Sequence, residues 1–418
     1  MHHFHRRGRE LYCEEVPVAQ IAEAVGTPFY LYSHATLTRH FRVFDEAFRD
    51  VPHLICFAVK ANANLSVLRL FGDLGGGADV VSGGELFRAI RAGIPPDRIV
   101  FAGVGKTETE MAEALKADIL LFNVESVQEL ERLSMIASRA GVRARVALRV
   151  NPDIDPETHP YIATGLKQSK FGIEIGQAMA QYRFAQSLSH VEVVGVHQHI
   201  GSQITDVRPF IDSLTRTAQL VEALREAGFH IHYLDVGGGL GITYKDEVPP
   251  LPDELARAMI GVVRELGCTM ILEPGRVLVG NAGILVTRVL YTKESLAKHF
   301  IVVDAGMNDL LRPSLYGSFH GIEPVLDREG RGSVVGDVVG PICESGDFLA
   351  KDRTLPAMEP GELLAIMSAG AYGFTMASNY NARPRAAEVL VRGKDYSVIR
   401  RRESYEDLVR GEEVPDGL

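Results

Sequence analysis

The 418-residue sequence lacks several features that would place it in other classes of protein. It has no run of about 18 apolar residues, so a membrane-spanning helix is not expected. Its first residues, MHHFHRRGRE, contain no apolar signal-peptide core, and secretion is not expected either. The net charge of −10 is spread along the chain without a basic stripe, which argues against nucleic-acid binding.

Cysteine is also scarce. The four cysteines, Cys13, Cys56, Cys268 and Cys343, lie far apart and show no C-x-x-C spacing. This distribution fits neither a disulfide framework nor a zinc site. Reduced thiols in a cytoplasmic protein are the simplest expectation, and one of them is then available for chemistry.

A repeated pattern of short apolar runs, turns and amphipathic helices fills residues 53–276. The apolar runs are 53–59, 78–81, 98–104, 119–124, 145–150, 193–200, 232–237 and 269–275. The expected helix signals are capping boxes at Ser82/Glu85, Thr107/Glu110 and Ser126/Glu129, and terminating glycines at Gly228 and Gly267. This α/β alternation predicts a (β/α)8 barrel, although an open doubly wound sheet would show a similar pattern.

The pattern of apolar and turn residues changes after about residue 277. Short β-rich runs separated by glycine, proline and aspartate follow, and they predict an antiparallel β domain. The first 30 residues hold one helix and one strand that could join this domain. A chain of this length also favours two domains over one.

The ends of the predicted barrel strands carry an unusual set of polar groups. In order along the chain they are Lys60, Asp79, Ser82, His197, His199, Gly201, Ser202, the glycine loop DVGGGLG (235–241), Glu273, Gly275 and Arg276. Because chemistry gathers at the carboxyl ends of barrel strands, we expect these groups to share one rim. An amine, a phosphate cradle, a flat imidazole and a carboxylate are the groups that bind pyridoxal 5'-phosphate.

Each of these residues also has a simpler interpretation. Lys60 alone reads as a surface lysine, and the glycine loop alone as a tight turn; Ile242 stands where a dinucleotide fingerprint needs glycine. The pair His197 and His199 could bind a metal, but no third ligand is obvious nearby, so we favour stacking by His199 and expect no metal. Glu273 could pair with Arg276 rather than with a ring nitrogen.

The sequence resembles the fold type III pyridoxal-phosphate decarboxylases, and among them the diaminopimelate decarboxylases. The likeness runs over nearly the whole chain. Its segments are FAVKANAN, FNVES, TGLKQSKFGI, HIGSQ, DVGGGLG, EPGR, DAGMNDLLRPSLYGSFHGI, GPICESGD and AYGF. The segments TGLKQSKFG and GPICES are the most specific of these. Gln198, where a smaller residue is common, and the loosely matching GVGKTETE are small departures.

The resemblance implies decarboxylation of meso-diaminopimelate to L-lysine and CO2, the last step of lysine biosynthesis. It implies Lys60 and Cys343 as catalytic residues, the lysine bonding the cofactor and the thiol donating a proton. The implied cofactor-binding residues are Lys60, His199, Ser202, Gly239, Glu273, Gly275, Arg276 and Tyr372. The implied substrate-binding residues are Arg276, Arg312, Tyr316, Glu344 and Tyr372.

The resemblance also implies an assembly and a domain division. The active unit would be a homodimer in which Cys343 and Glu344 reach the neighbouring subunit's site. The barrel would span residues 35–276, and a β-barrel domain would combine residues 1–34 with 277–418.

Rival interpretations remain at this stage. A sister decarboxylase acting on ornithine, arginine or a carboxylated polyamine would keep Lys60 and Cys343 but would not need Arg312 for a second carboxylate. A non-catalytic regulator would keep only the fold. Cys343 could be a buried apolar cysteine, Arg312 a surface cation, and Tyr372 a packing residue.

Overall fold

The computed structural model of the chain describes residues 2–154, 170–296 and 298–417. It divides into two compact units. The barrel unit comprises Thr38–Thr243 and Glu247–Leu278, and the β unit comprises Met1–Leu37, Tyr244–Asp246 and Val279–Leu418. Within the described ranges, no helix is both long and apolar enough to span a membrane.

The elements alternate in the first part of the chain and become strand-rich in the second. The strands are β1 (Phe4–Arg7), β2 (Glu10–Cys13), β3 (Val16–Pro17), β4 (Phe29–Ser33), β5 (His53–Ala58), β6 (Gly77–Val80), β7 (Ile99–Phe101), β8 (Leu121–Val124), β9 (Ala144–Asn151), β10 (Ile173–Glu174), β11 (Val191–His197), β12 (Tyr233–Asp235), β13 (Thr269–Leu272), β14 (Gly283–Glu294), β15 (His299–Val303), β16 (Ile322–Pro324), β17 (Ser333–Val339), β18 (Phe348–Pro356), β19 (Leu363–Ile366), β20 (Ala387–Arg392) and β21 (Asp395–Arg400). The helices are α1 (Val18–Val25), α2 (His34–Ala47), α3 (Leu65–Asp73), α4 (Gly83–Arg91), α5 (Glu108–Ala117), α6 (Val127–Ala140), α7 (Ala178–Ser187), α8 (Arg208–Glu226), α9 (Pro252–Leu266), α10 (Arg276–Val279), α11 (Arg312–Tyr316) and α12 (Tyr405–Leu408).

The barrel unit is a closed parallel barrel. Its strands follow one another in the order β9, β11, β12, β13, β5, β6, β7, β8, and the pairing of β8 with β9 closes the ring. The short strand β10 pairs with the last two residues of β9, Val150 and Asn151. Every one of the predicted apolar runs forms a barrel strand, and the closed ring rather than an open sheet is the architecture.

The predicted helix signals are present, with a variation at two of them. Thr107 and Glu110 form a reciprocal capping box at the start of α5. Ser82 and Ser126 also accept hydrogen bonds from the backbone of Glu85 and Glu129. These two glutamates, however, accept from the backbone N–H of the residue before the cap, Val81 (2.8 Å) and Glu125 (2.9 Å). The reciprocal box predicted there is therefore wrong, because each glutamate reaches one residue further.

Two glycines end helices as the sequence predicts. Gly267 follows α9 with φ +60°, and Gly228 stands two residues after α8 with φ +90°. Both conformations are left-handed, and glycine adopts them without a side-chain penalty. The helices thus stop where the chain must turn back toward the next barrel strand.

The β unit is built around the long strand β14. Its sheet runs in the order β18, β17, β15, β14, β4, β20, β21, with β19 also paired to β14 and β16 paired to β19. Most pairings are antiparallel, while β15–β17 and β4–β20 are parallel. The strand β4 lies between β14 and β20, so the predicted N-terminal strand does join this sheet. The strands before it, β1, β2 and β3, form a separate three-stranded sheet.

Candidate active site

Lys60 lies in the turn that follows the first barrel strand, β5, and is anchored by the second. Its Nζ donates a hydrogen bond to Oδ2 of Asp79, in β6, at 2.7 Å. Asp79 is fully buried, whereas the lysine side chain is 36% exposed. Burial and the Glu273 carboxylate raise the pKa of Asp79, and the nearby ammonium opposes this shift. The amine is therefore oriented by a buried carboxylate and remains accessible to a ligand, unlike an ordinary surface lysine.

A buried carboxylate cluster stands at the ends of the last two barrel strands. Asp235 ends β12 and Glu273 follows β13. The amide of Asn123, in β8, bridges them by donating to Asp235 Oδ2 at 2.9 Å and to Glu273 Oε1 at 3.2 Å. One amide donor therefore links the two acids.

The two acids of this cluster hold protons differently. Burial and the Glu273 charge raise the pKa of Asp235 well above its usual range. Burial also raises the pKa of Glu273, but His197 and Lys60 outweigh it and hold that pKa below its usual value. The His197 Nε2 lies 3.7 Å from Glu273 Oε2, so the interaction is electrostatic rather than a hydrogen bond. The surroundings thus favour ionisation of Glu273 over ionisation of Asp235.

His199 presents a neutral ring. Its Nδ1 accepts a hydrogen bond from the backbone N–H of Gly238 at 3.1 Å, so this nitrogen carries no proton. Burial and the charges of Arg149 and Lys60 lower the pKa of His199 well below its usual value. A neutral, oriented imidazole is suited to stacking on a flat ligand. The metal alternative joined His197 to His199 and lacked a third ligand. In the structure the ligand atoms of His197, Asp235 and Glu273 lie within 4.8 Å of one another, so the expectation that no further ligand type lies near His197 is wrong.

The glycine loop packs so closely that side chains are excluded. A Cβ on Gly238 would lie 2.1 Å from the Glu273 carbonyl oxygen. Gly239 has φ +122°, and its Cβ would lie 2.6 Å from the Gly201 carbonyl oxygen. The Ile204 N–H donates to the Gly239 carbonyl at 2.9 Å, which joins this loop to the one after β11. The loop is therefore more than a tight turn, since it supports two neighbouring segments of the rim.

Two polar side chains lie beside these loops. Nη2 of the buried Arg276 donates to the Ser202 hydroxyl at 3.1 Å. The carbonyl of Gly275 accepts from the Leu278 N–H and begins the turn that carries Arg276. The structure thus brings a guanidinium and a hydroxyl together, a donor set that suits a phosphate. Glu273 itself interacts with Asn123 and His197.

Sequence reasoning missed the groups that support this rim. Asn123 and Asp235 were not assigned a role, although polar residues inside buried strands are a recognisable signal. Lys106 is another supporting residue that was missed. Its fully buried Nζ donates to the Asn123 carbonyl (2.7 Å) and to Glu129 (2.7 Å). The loosely matching segment around Lys106 therefore holds the strand that carries the bridging amide.

Gln198, the other residue that departs from the family's sequence pattern, has a structural role. Its Oε1 accepts hydrogen bonds from the hydroxyls of Ser213 (2.6 Å) and Thr217, both on α8. These contacts attach the end of β11 to the helix that follows it. The segment TGLKQSKFGI (164–173), in contrast, lies partly outside the described residues.

The β unit holds the remaining predicted residues, and Arg312 is the most buried of them. It begins α11, is 5% exposed, and its Nη1 contacts His320 Nε2 at 2.8 Å. Tyr316 ends the same short helix and is half-buried. Tyr372 has φ +55° and stands between the buried residues Ala371 and Gly373. The surface-cation interpretation of Arg312 is therefore wrong.

Cys343 differs from the other cysteines. It is exposed, whereas Cys13, Cys56 and Cys268 are buried, so its interpretation as a core residue is wrong. Its backbone N–H donates to Asn381 Oδ1 at 2.7 Å. Glu344 beside it is also exposed. The thiol and the carboxylate thus project from a loop whose backbone is held in place.

The aspartate Asp347 holds the residue before Cys343 against a second segment of the β unit. Asp347 accepts hydrogen bonds from the backbone N–H groups of Ile342 and Met307, each at 2.6 Å. Burial raises the pKa of Asp347. The loop therefore has an ordered base and an exposed tip.

The chain is similar in sequence and in fold to known proteins. A family described as "Pyridoxal-dependent decarboxylase, pyridoxal binding domain" matches residues 34–280. The diaminopimelate decarboxylase of Aquifex aeolicus (strain VF5) is 53% identical over 404 residues, covering 96% of each chain. That of Vibrio cholerae is 51% identical over 400 residues, covering 96% of this chain and 95% of the relative. The crystal structure of diaminopimelate decarboxylase from Helicobacter pylori complexed with L-lysine matches with a TM-score of 0.91 and 45% identity, covering 94% of this chain and 98% of that one.

Proposed function

The chain belongs to the family of pyridoxal-dependent decarboxylases, and from this premise we propose that it converts meso-diaminopimelate to L-lysine and CO2, the last step of lysine biosynthesis. The observation that carries the proposal is the rim of the barrel unit. There an accessible amine, a buried ionised carboxylate, a neutral imidazole and a guanidinium–hydroxyl pair occur together.

These residues fit pyridoxal 5'-phosphate. Lys60 would bond its aldehyde, and Ser202, Gly239, Gly275 and Arg276 would hold its phosphate. When bound, the cofactor supplies an electron sink for the bonding electrons left behind by the departing CO2. The fit is supported by Glu273, because an ionised buried carboxylate is the group that keeps a pyridine nitrogen protonated.

The protein's own groups do the remaining work. His199 would stack on the flat face of the cofactor ring, and the hydrogen bond that its Nδ1 accepts from Gly238 keeps the imidazole in one orientation. Asp79 holds the amine of Lys60 at the rim. Tyr372, whose backbone is left-handed at φ +55°, would contact cofactor and substrate.

The β unit supplies the groups that select the substrate. A substrate with two carboxylates and two amines needs a second cation and an additional acid. Arg312 and Tyr316 bind the carboxylate that is not lost, Arg276 assists, and Glu344 binds the distal amine. The burial of Arg312 supports this assignment, because a charge-assisted contact with a carboxylate is stronger where water is largely excluded.

Cys343 is the proton donor to the substrate carbon, through its Sγ. We propose a homodimer in which Cys343 and Glu344 act in the site of the second copy. The exposure of both side chains on an ordered loop supports this arrangement. The protein is then a cytoplasmic enzyme, since a catalytic thiol must stay reduced.

The domain division follows the same assignment. We propose that residues 35–276 form the cofactor-binding barrel, and that residues 1–34 and 277–418 form the second domain. The match of the family at residues 34–280 supports the first boundary.

A substrate panel tests the proposed reaction. We expect CO2 release from meso-diaminopimelate to exceed release from L-lysine, L-ornithine and L-arginine under the same conditions. Faster turnover of ornithine or arginine would establish the sister activity instead.

The attachment residue is tested separately. Borohydride treatment of the holoprotein followed by peptide mapping should find the cofactor on Lys60, and Lys60→Ala should abolish both the yellow colour and turnover. A wild-type protein that stays colourless with added cofactor would point to a non-catalytic regulator.

A further inference from the structure

The guanidinium of Arg312 is held by two aromatic side chains of the β unit. His320 Nε2 lies 2.8 Å from Arg312 Nη1. The ring of Tyr244 lies under the guanidinium carbon, with 4.5 Å from that carbon to the ring centroid. The two aromatic rings also meet edge to face, at 5.3 Å between centroids. Neither Tyr244 nor His320 has a role in the reaction described above.

His320 is fixed in the tautomer that Arg312 requires. Its Nδ1 lies 2.8 Å from the carbonyl oxygen of Met367, which can only accept, so the proton is on Nδ1. Nε2 therefore carries a lone pair and accepts from the guanidinium. The imidazole is fully buried, and this arrangement neutralises no charge on Arg312. A neutral imidazole and an aromatic face thus orient the guanidinium without adding a negative charge beside it.

The backbone of His320 is fixed as well. Arg353 donates from Nη1 to the His320 carbonyl at 2.8 Å, and its guanidinium carbon stacks 3.8 Å from the Phe319 ring centroid. Arg312 thus receives an in-plane acceptor from one direction and an aromatic face from another. These contacts restrict both translation of the guanidinium and rotation of its plane.

We propose that Tyr244 and His320 are positioning residues that orient Arg312 for the substrate carboxylate that remains on the product. This inference rests on the proposed function, because decarboxylation of meso-diaminopimelate leaves one carboxylate on L-lysine. A bidentate carboxylate contact depends on the plane of the guanidinium, whereas an amine makes no such contact with it. The pair would thereby help to select substrates that carry a second carboxylate.

Two ligands that differ in this carboxylate provide the test. L-lysine retains it, and cadaverine is the same diamine without it. With Tyr244→Leu holoprotein, we expect calorimetric affinity for L-lysine to fall about five- to thirtyfold, the range of a desolvated cation–π contact. Affinity for cadaverine should change less than about twofold, because that diamine does not use Arg312. For meso-diaminopimelate, KM should rise while kcat is largely retained.

Conservative variants separate positioning from folding. Tyr244→Phe keeps the aromatic face, and His320→Gln keeps an acceptor for Arg312, so both should remain close to wild type in L-lysine affinity. His320→Leu should resemble Tyr244→Leu. The inference would be overturned if the leucine variants weakened the binding of L-lysine and of cadaverine equally. It would also be overturned if both leucine variants bound L-lysine as tightly as wild type does. A wild-type holoprotein that releases no CO2 from meso-diaminopimelate would instead overturn the proposed function.

Discussion

Asp309 of the β unit is a buried carboxyl group outside the catalytic set. One oxygen accepts from the Gly306 N–H at 3.0 Å, and the other has no hydrogen-bond partner among the described residues. Burial, with a contribution from Asp304, raises its pKa to about 7. The folded protein therefore keeps a proton that the unfolded chain releases above about pH 4. Stability linked to this group is complete at low pH and is lost as the pH rises from about 4 to about 7.

Replacing Asp309 with asparagine should remove this pH dependence. The melting temperature of Asp309→Asn minus that of wild type should be a few degrees higher at about pH 8 than at about pH 5. This change corresponds to roughly 3 kcal/mol in the free energy of unfolding. Circular dichroism melts of both proteins at the two pH values measure the difference. An offset between the proteins that is the same at both pH values would contradict the assignment.

Asn123 is the residue on which the carboxylate cluster depends. Asn123→Leu keeps a similar volume but removes the donor shared by Asp235 and Glu273, and leaving a buried acceptor without its partner costs about 1–3 kcal/mol. We expect the affinity of the apoprotein for pyridoxal phosphate to fall about tenfold or more. Titration of the cofactor absorbance measures it.

The matched control is Asn379→Leu. Asn379 is exposed and donates to Glu403 at 2.7 Å within the β unit, so its loss should leave cofactor affinity unchanged. Equal cofactor affinity in the two leucine variants would show that the bridge of the carboxylate cluster does not support Glu273.

At the scale of elements, local sequence patterns predict strands and helix ends better than they predict contacts between residues far apart in the chain. The barrel strands and the glycines that end helices are encoded within a few residues, and their predictions are confirmed. The contacts of Asn123 join it to residues 112 and 150 positions away, and no local pattern records such a pairing. The neutral tautomer of His320 likewise depends on a carbonyl that lies 47 residues further along the chain.

The glycine loop provides a prediction for one element. In Gly239→Ala the new methyl group would meet the Gly201 carbonyl at 2.6 Å with backbone beyond it, and φ +122° is unfavourable for alanine. The two loops must separate, so cofactor affinity should fall about tenfold or more while the barrel stays folded. Absorbance titration and circular dichroism measure the two quantities.

Gly261 in α9 is the matched alanine control. A Cβ there would meet nothing within 4 Å. Gly261→Ala should raise the free energy of unfolding by about 0.5–1 kcal/mol, because alanine has the higher helix propensity, and should leave cofactor affinity unchanged. If Gly239→Ala bound the cofactor as tightly as Gly261→Ala, the close packing of the loop would have no part in binding.

At the scale of the whole molecule, burial distinguishes residues that the sequence leaves equivalent. All four cysteines are free thiols, yet only Cys343 is exposed. Its neighbours in the sequence, a proline and several polar residues, already indicated a site rather than a core. Whether its thiol acts in its own chain or in a second copy depends on assembly, which residue spacing does not encode.

Complementation between two inactive chains would decide where Cys343 acts. In a heterodimer of a Lys60→Ala chain and a Cys343→Ala chain, shared sites leave one centre with both groups intact and one with neither. We therefore expect the purified heterodimer to recover about half of wild-type activity, since a two-fold dimer has two equivalent sites. The reciprocal heterodimer, wild type with a chain carrying both substitutions, separates each lysine from an intact thiol and should show little turnover. If each chain were self-sufficient the two results would be exchanged, because only the wild-type chain would then hold a complete site.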